Sequence, residues 1–282
     1  MFAHSFARAS APTPDGRTLS TLVAGTDKHA VFLETGLGVS AHYWAPLMRL
    51  LAPDFTVVAY DRAGIGASSP DPAERDLDRL AADLQAVVGA HEFDSAVVVG
   101  HSWGGPIVRT WAANHASAAD RVSLVLVDPT DEHLLPFFGP ASVKLQVTAF
   151  RACSLLGLSR LLVGAFISAL PKEDKRVALD ACASRAAGRE LAQEMRHLRS
   201  GLMHLAQQRA TAPALFTTIV TGGTPRQGER QKVRDAINAA HASAAALLPN
   251  GELVLAPDSG HNIPLTEPDV IERVIRSHFA RT

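Results

Sequence analysis

The sequence predicts an α/β protein, a mostly parallel sheet flanked by helices and interrupted once by a purely helical insertion. Three observations carry this prediction. Valine-rich runs of strand length recur along the chain, amphipathic segments of helix length separate them, and strand-like runs cease between about 134 and 211. Strand and helix periods in alternation build a parallel sheet whose faces are covered by the connecting helices.

At the N-terminal end, PDGR (14–17) supplies turn chemistry between FARAS and TLSTLVA, predicting a hairpin ahead of the strand AVFLE (30–34). The runs TVVAY (56–60), SAVVV (95–99) and VSLVLV (122–127) are the next strands, and DLDRLAADLQAVVGAH has apolar residues at helical spacing. After the insertion, ALFTTIV (214–220) and GELVLA (251–256) extend the sheet, with RQKVRDAINAAHASAAALL as the helix between them and PDVIERVIRSHF as a closing amphipathic helix. The chain thus divides into a core domain, 1–133 and 212–282, and a helical cap insertion, 134–211. Within the insertion, SLLGLSRLLVGAFISAL and ELAQEMRHLRSGLMHLAQQ read as consecutive helices. The apolar run 154–170 is too short for a membrane span and contains Arg160, so it reads as a cap helix that buries one face over the sheet.

Composition excludes several function classes. With 282 residues, 47% of them hydrophobic, the chain can bury a large core. Lys and Arg total 27 against 28 Asp and Glu, and no basic block is present to neutralise phosphates, so nucleic acid is not an expected partner. The first sixteen residues hold no apolar run of signal-peptide or span length, and the protein reads as soluble and cytoplasmic. Cys153 and Cys182 fall in helical segments, form no CxxC pair and have no clustered histidines, so neither a disulfide framework nor a structural zinc is expected. No cofactor is called for.

The chemistry is concentrated in GHSWGG (100–105). SAVVV runs straight into it and PIVRTWAANH continues as a helix, so Ser102 sits at the tip of a strand, sharp turn and helix. Small residues at 100 and 104 permit the close backbone approach that such a turn forces. A serine hydroxyl needs a base within hydrogen-bond reach and a third group to orient that base. Of the twelve histidines, His261 is the one in a constrained loop, SGHNIP, straight after a late strand. His101 adjoins the serine but points away, with a packing or hydrogen-bonding role beneath the turn. His197 and His204 lie on the insertion at near-helical spacing and either line a pocket or face solvent.

GHSWGG, the late GH of DSGHN and the intervening strands together resemble the α/β-hydrolase fold superfamily, in its serine-nucleophile branch with a helical cap. The resemblance covers nearly the whole chain and includes VFLETGLG (31–38), which looks like the oxyanion loop, and VAYDRAGIGASSP (58–70). It implies that the backbone N–H groups of Leu37 and Trp103 form an oxyanion hole. Many relatives carry histidine-glycine where this chain has Thr35 and Gly36, so the anchoring of the loop is expected to differ. Asp61 and Arg62 are read as a charged pair bracing the turn rather than as catalytic groups.

In many relatives the triad acid follows the penultimate strand. Here that segment, TGGTPRQGER, has no aspartate, and Glu229 reads as a solvated loop charge. The strand before the insertion offers Asp128 at its terminus and Asp131 one turn onward. Asp128 is preferred and Asp131 is the alternate. Asp258 lies close to His261 in sequence but on the wrong side of its loop. The expected activity is hydrolysis of a small apolar carboxylic ester, lactone or thioester through an acyl-enzyme, without metal or cofactor. The alternatives are a C–C bond hydrolase and a ligand-binding receptor that keeps the fold with little turnover.

Overall fold

A computed structural model describes residues 6–117, 121–208, 213–225 and 229–281. The chain opens with β1 (Ala7–Pro12) and β2 (Thr18–Ala24), joined by the expected hairpin turn, in which the Thr13 N–H donates to Arg17 O and Gly16 takes φ +86°. Then come β3 (His29–Glu34), α1 (Ala45–Leu51), β4 (Thr56–Tyr60), α2 (Leu77–Gly89), β5 (Ser95–His101), α3 (Gly104–His115) and β6 (Val122–Val127). Asp76 caps α2, its carboxylate accepting the Arg79 N–H, which satisfies one of the free amides of the first turn. Between β6 and the next strand lie α4 (Pro140–Leu155), α5 (Ser159–Phe166), α6 (Lys172–Cys182) and α7 (Arg185–Gln208), preceded by a 3₁₀ turn, Glu132–Phe137. The chain closes with β7 (Thr217–Gly222), α8 (Gln231–Leu247), β8 (Gly251–Ala256), α9 (Ile263–Thr266) and α10 (Pro268–Phe279).

The eight strands form one sheet in the order β1-β2-β4-β3-β5-β6-β7-β8, antiparallel at β1/β2 and β2/β4 and parallel from β4 to β8. Helices cover both faces, as a parallel sheet requires. One face packs Leu80 and Leu84 of α2, Ile107 and Trp111 of α3 and Ala244 of α8 against Phe32, Val98 and Leu126. The other packs Leu47 and Leu51 of α1 and Ile271 and Ile275 of α10 against Val31, Val99 and Val125. Leu198, Leu202 and Leu205, at i, i+4 and i+7 on α7, join the first cluster, so the insertion is anchored by an apolar stripe.

Two expectations need correction. The strand expected at 214–220 starts three residues later, because Leu215 N–H closes a turn onto Pro213 O before the ladder begins. The apolar run 154–170 is not one continuous cap helix, although Ile167 and Leu170 at its end are buried in the second core cluster. It breaks at 156–158, where Gly157 takes φ +74°, and no residue of α5 is buried. Among the described residues no single helix is long and apolar enough to cross a membrane; α4 and α5 reach that length only together and are bent by 113°. The expected C-terminal limit of the insertion, at 211, lies outside the described residues.

Candidate active site

β5 ends at His101 and α3 starts at Gly104, so the chain reverses from strand to helix across Ser102 and Trp103. The reversal forces Ser102 to φ 54°, a left-handed conformation unfavourable for a residue with a Cβ. Neighbouring backbone holds it there: Ser102 N–H donates to Val127 O at 3.0 Å, and its carbonyl accepts from Gly105 and Thr130. A Cβ on Gly100 would meet Gly104 O at 2.4 Å, and one on Gly104 would meet Glu34 O and Thr35 O at 2.7 Å, which is why both positions are glycine.

Residues following two other strands, β6 and β8, converge on this serine. His261, in the loop between β8 and α9, has Nε2 at 3.1 Å from Ser102 Oγ and Nδ1 at 2.7 Å from Asp128 Oδ2. Asp128 follows β6 directly and is the second non-glycine residue with positive φ, at 40°; its N–H is fixed by Val220 O at 2.7 Å. Burial opposes ionisation of Asp128, but the His261 hydrogen bond and the charges of His261, His241 and Arg234 outweigh it and hold the carboxyl below the usual range. The alternate, Asp131, is turned away: its carboxylate takes Arg109 at 3.1 Å and the backbone and ring N–H groups of His133. Asp131, Glu132 and His133 do gather ligating atoms within 4.8 Å, but Arg109 already bonds both carboxylates.

Leu37 and Ser102 border one cavity of about 240 Å³ together with Asp128 and His261. Its walls include Leu134, Phe138, Met195, Leu198 and Ile237, with Thr130, Gln146 and Glu229 as polar members, so Glu229 borders the cavity and is not only the solvated loop charge expected. The backbone N–H groups of Leu37 and Trp103 have no acceptor among the described residues. His101 lies beneath the turn as expected: its Nε2–H donates to His261 O at 2.9 Å, and its ring stacks on Tyr43. Full burial, reinforced by the charge of His261, lowers its pKa to about 3, so it remains neutral. Phe166 lies 6.3 Å from the His261 ring, and Asn262 ties it to the site by donating to Phe166 O while accepting from Tyr43. His197 and His204 face Glu74 and Asp78 instead of the cavity, and Met203 lies on the outer surface.

A family model described as the Alpha/beta hydrolase family matches residues 30–274. The chain belongs to that family. Among curated relatives, a putative carbamate hydrolase RutD of Caulobacter segnis is 37% identical over 105 residues, 36% of this chain and 39% of that protein. The chain spans about two fifths of the length of the curated relatives it matches first. Among solved structures, E-2-(acetamidomethylene)succinate hydrolase superposes with a TM-score of 0.73 at 21% identity, covering 98% of this chain and 100% of the other. A thermophilic esterase of Thermogutta terrifontis superposes with a TM-score of 0.71 at 18% identity, covering 98% of each chain. At those identities the likeness is one of fold.

Two arginines surround the site that sequence reasoning did not place there. Arg234 of α8, fully buried, donates to both oxygens of Asp128, at 3.0 and 3.2 Å, and Gly222 N–H adds a third bond at 3.2 Å. The available signal was a charge on the apolar face of α8, in step with His241 and Ala244. Arg62, also fully buried, does not pair with Asp61. Instead it donates to Thr35 O at 2.8 Å, Gly36 O at 2.5 Å and Glu34 at 2.7 Å, and it meets Glu194 of α7 at 3.0 Å. Arg75 reaches the same Glu194 at 2.6 Å, and Tyr60 hydrogen-bonds Glu34. The loop without the histidine-glycine pair is therefore anchored by a guanidinium fork, and the same fork binds α7. Asp61 braces separately, accepting from Ala41 N–H at 2.8 Å; burial raises its pKa to about 6 against the lowering effect of that bond.

Proposed function

We propose that this chain is a serine hydrolase acting on a small apolar carboxylic ester, or a lactone or thioester, through an acyl-enzyme. The observation that carries the reading is the continuous chain Ser102 Oγ, His261 and Asp128, with bonds of 3.1 and 2.7 Å. Asp128 accepts from Nδ1–H and so fixes the tautomer in which Nε2 is free to accept the serine proton. As Ser102 Oγ attacks the carbonyl carbon, His261 takes its proton and the Leu37 and Trp103 N–H groups receive the oxyanion. His261 then returns the proton to the leaving alcohol. A water deprotonated by the same imidazole attacks the acyl-enzyme, and Ser102 is regenerated as the acid departs.

The size of the cavity and the apolar part of its walls favour a short acyl or small aromatic group, with Gln146 and Glu229 among the polar groups it would meet. In this reading residues 134–211 act as a cap over the core formed by 1–133 and 212–282, since α4 and α7 contribute Gln146, Met195 and Leu198 to the cavity. The carbamate hydrolase name of relatives fits the same acyl chemistry, because attack on a carbamate carbonyl uses the same groups. A receptor without turnover has no use for positive φ at both Ser102 and Asp128, conformations that cost on the order of 1–3 kcal/mol each. Labelling with a fluorophosphonate tests the proposal: folded wild-type protein is expected to be modified at Ser102 and S102A to be unmodified. Failure of the folded wild type to react would overturn it.

A further inference from the structure

We propose that the outer face of α4 and α5 is a docking surface for an anionic lipid bilayer. The face is apolar where a soluble helix pair is ordinarily polar. Leu145, Leu155, Leu156 and Leu161 are each 70–72% exposed, and Leu158 and Leu162 are exposed beside them at the corner between the two helices. Along α4 and its C-cap the exposed residues Ala141, Leu145, Ala149, Ala152 and Leu156 form an apolar i, i+4, i+8, i+11, i+15 stripe, flanked by the exposed polar residues Ser142, Lys144, Thr148 and Arg151. A contiguous exposed apolar patch of this kind marks an interaction site. No single helix among the described residues can cross a membrane, and the bend of 113° suits the pair to lie on a bilayer.

Charge selects the partner. From residue 133 to residue 172 the sequence contains no Asp or Glu, while it carries Lys144, Arg151, Lys172 and Arg160, the last paired with Asp180 of α6 at 2.9 Å. Beside the apolar stripe runs a cleft between α4 and α7 of about 570 Å³, lined by Lys144, Arg151, Arg196 and Arg199 and by no carboxylate. None of these four has a carboxylate partner among the described residues; Arg196 and Arg199 bond only backbone carbonyls. The acids of α7 that would balance them, Glu190 and Glu194, are turned inward to Arg75 and Arg62. Leucines at the tip with unpaired cations on the flank match an acyl phase bordered by anionic headgroups. A second copy of the chain would bring the two basic clefts together in a two-fold contact, and like charges disfavour that occupant.

Co-sedimentation of the full chain with phosphatidylcholine vesicles, with and without about one third phosphatidylglycerol, tests the proposal. Binding is expected on the anionic vesicles, at least about tenfold above neutral ones, and it should fall as salt rises from about 0.1 to about 0.5 M. Removing three cations in K144Q/R151Q/R196Q should lower the partition coefficient on the order of 100-fold. L155Q/L156Q/L161Q should lose binding by at least about tenfold, and both variants should keep the wild-type circular dichroism and melting temperature. Equal binding to neutral and anionic vesicles, or no binding at all, overturns the proposal. So does a concentration-dependent dimer, seen by sedimentation and abolished in the leucine variant, that forms without lipid binding.

Discussion

At the scale of single residues, two carboxylates competed for one role, and tertiary contacts separate them. Asp128 faces His261 at 2.7 Å, whereas Asp131 is spent on Arg109 and His133. Asp128→Asn is therefore expected to lower turnover of a short nitrophenyl ester by on the order of 10⁴, and Asp131→Asn to leave it within about threefold. Comparing the two variants under one assay checks this, and loss confined to Asp131→Asn would refute the assignment. Arg62 supports a second prediction, because its fork holds the carbonyls on either side of the Thr35–Gly36 bond. Arg62→Lys keeps the charge but cannot reproduce the fork. It is expected to reduce kcat by about 10- to 100-fold with a smaller change in KM, as a displaced oxyanion donor would. An unchanged kcat would show that the loop is held by other contacts.

At the scale of elements, Asp61 ties β4 to the turn preceding α1 through Ala41 N–H, and it does so while buried. Burial raises its pKa from 3.8 to about 6, so the folded state binds this proton more tightly than the unfolded chain does. The associated stability is present below about pH 4 and is lost as pH rises through about 6. Asp61→Asn keeps an acceptor for Ala41 without the buried charge. It is expected to stabilise the fold at pH 8 by on the order of 1–3 kcal/mol and to be nearly neutral at pH 4, which chemical denaturation at the two pH values measures. The insertion shows a different division of labour within one helix: α7 turns Leu198, Leu202 and Leu205 to the core and its arginines outward, and its two buried glutamates lock to Arg62 and Arg75. Removing one partner from such a buried group strands a charge, at a cost of about 3–5 kcal/mol.

For the whole molecule, buried groups with lowered pKa values confer acid sensitivity, and among the histidines His101 and His278 are shifted furthest. Burial lowers the pKa of His101 to about 3, and burial with the nearby Arg281 charge lowers that of His278 to about 4. His278 is enclosed between the Ser123 and Thr218 hydroxyls. Both groups take up protons more readily in the unfolded chain, so stability is present above pH 6.5 and is lost as pH falls toward 4. The opposing gain from Asp61 is smaller, and a net loss on the order of 3 kcal/mol between pH 7 and 4.5 is expected. Calorimetry at the two pH values tests this; a higher melting temperature at pH 4.5 would contradict it.

The sequence by itself determined that the sheet is mostly parallel, the succession of strands and helices along the chain, and the turn that carries Ser102. Such features are written in periods and turn chemistry that extend over a few residues, as in SAVVVGHSWGG, where each choice is legible locally. The tertiary structure alone decided which carboxylate meets His261, that Arg234 stands behind it, that Arg62 abandons its neighbour Asp61 for Glu34 and Glu194, and that the leucines near 157 face outward. Those outcomes depend on partners far apart in the chain, 106 residues for Arg234 and Asp128 and 132 for Arg62 and Glu194. A buried charge must find a counter-charge wherever the packed fold presents one, and no local pattern encodes where that is.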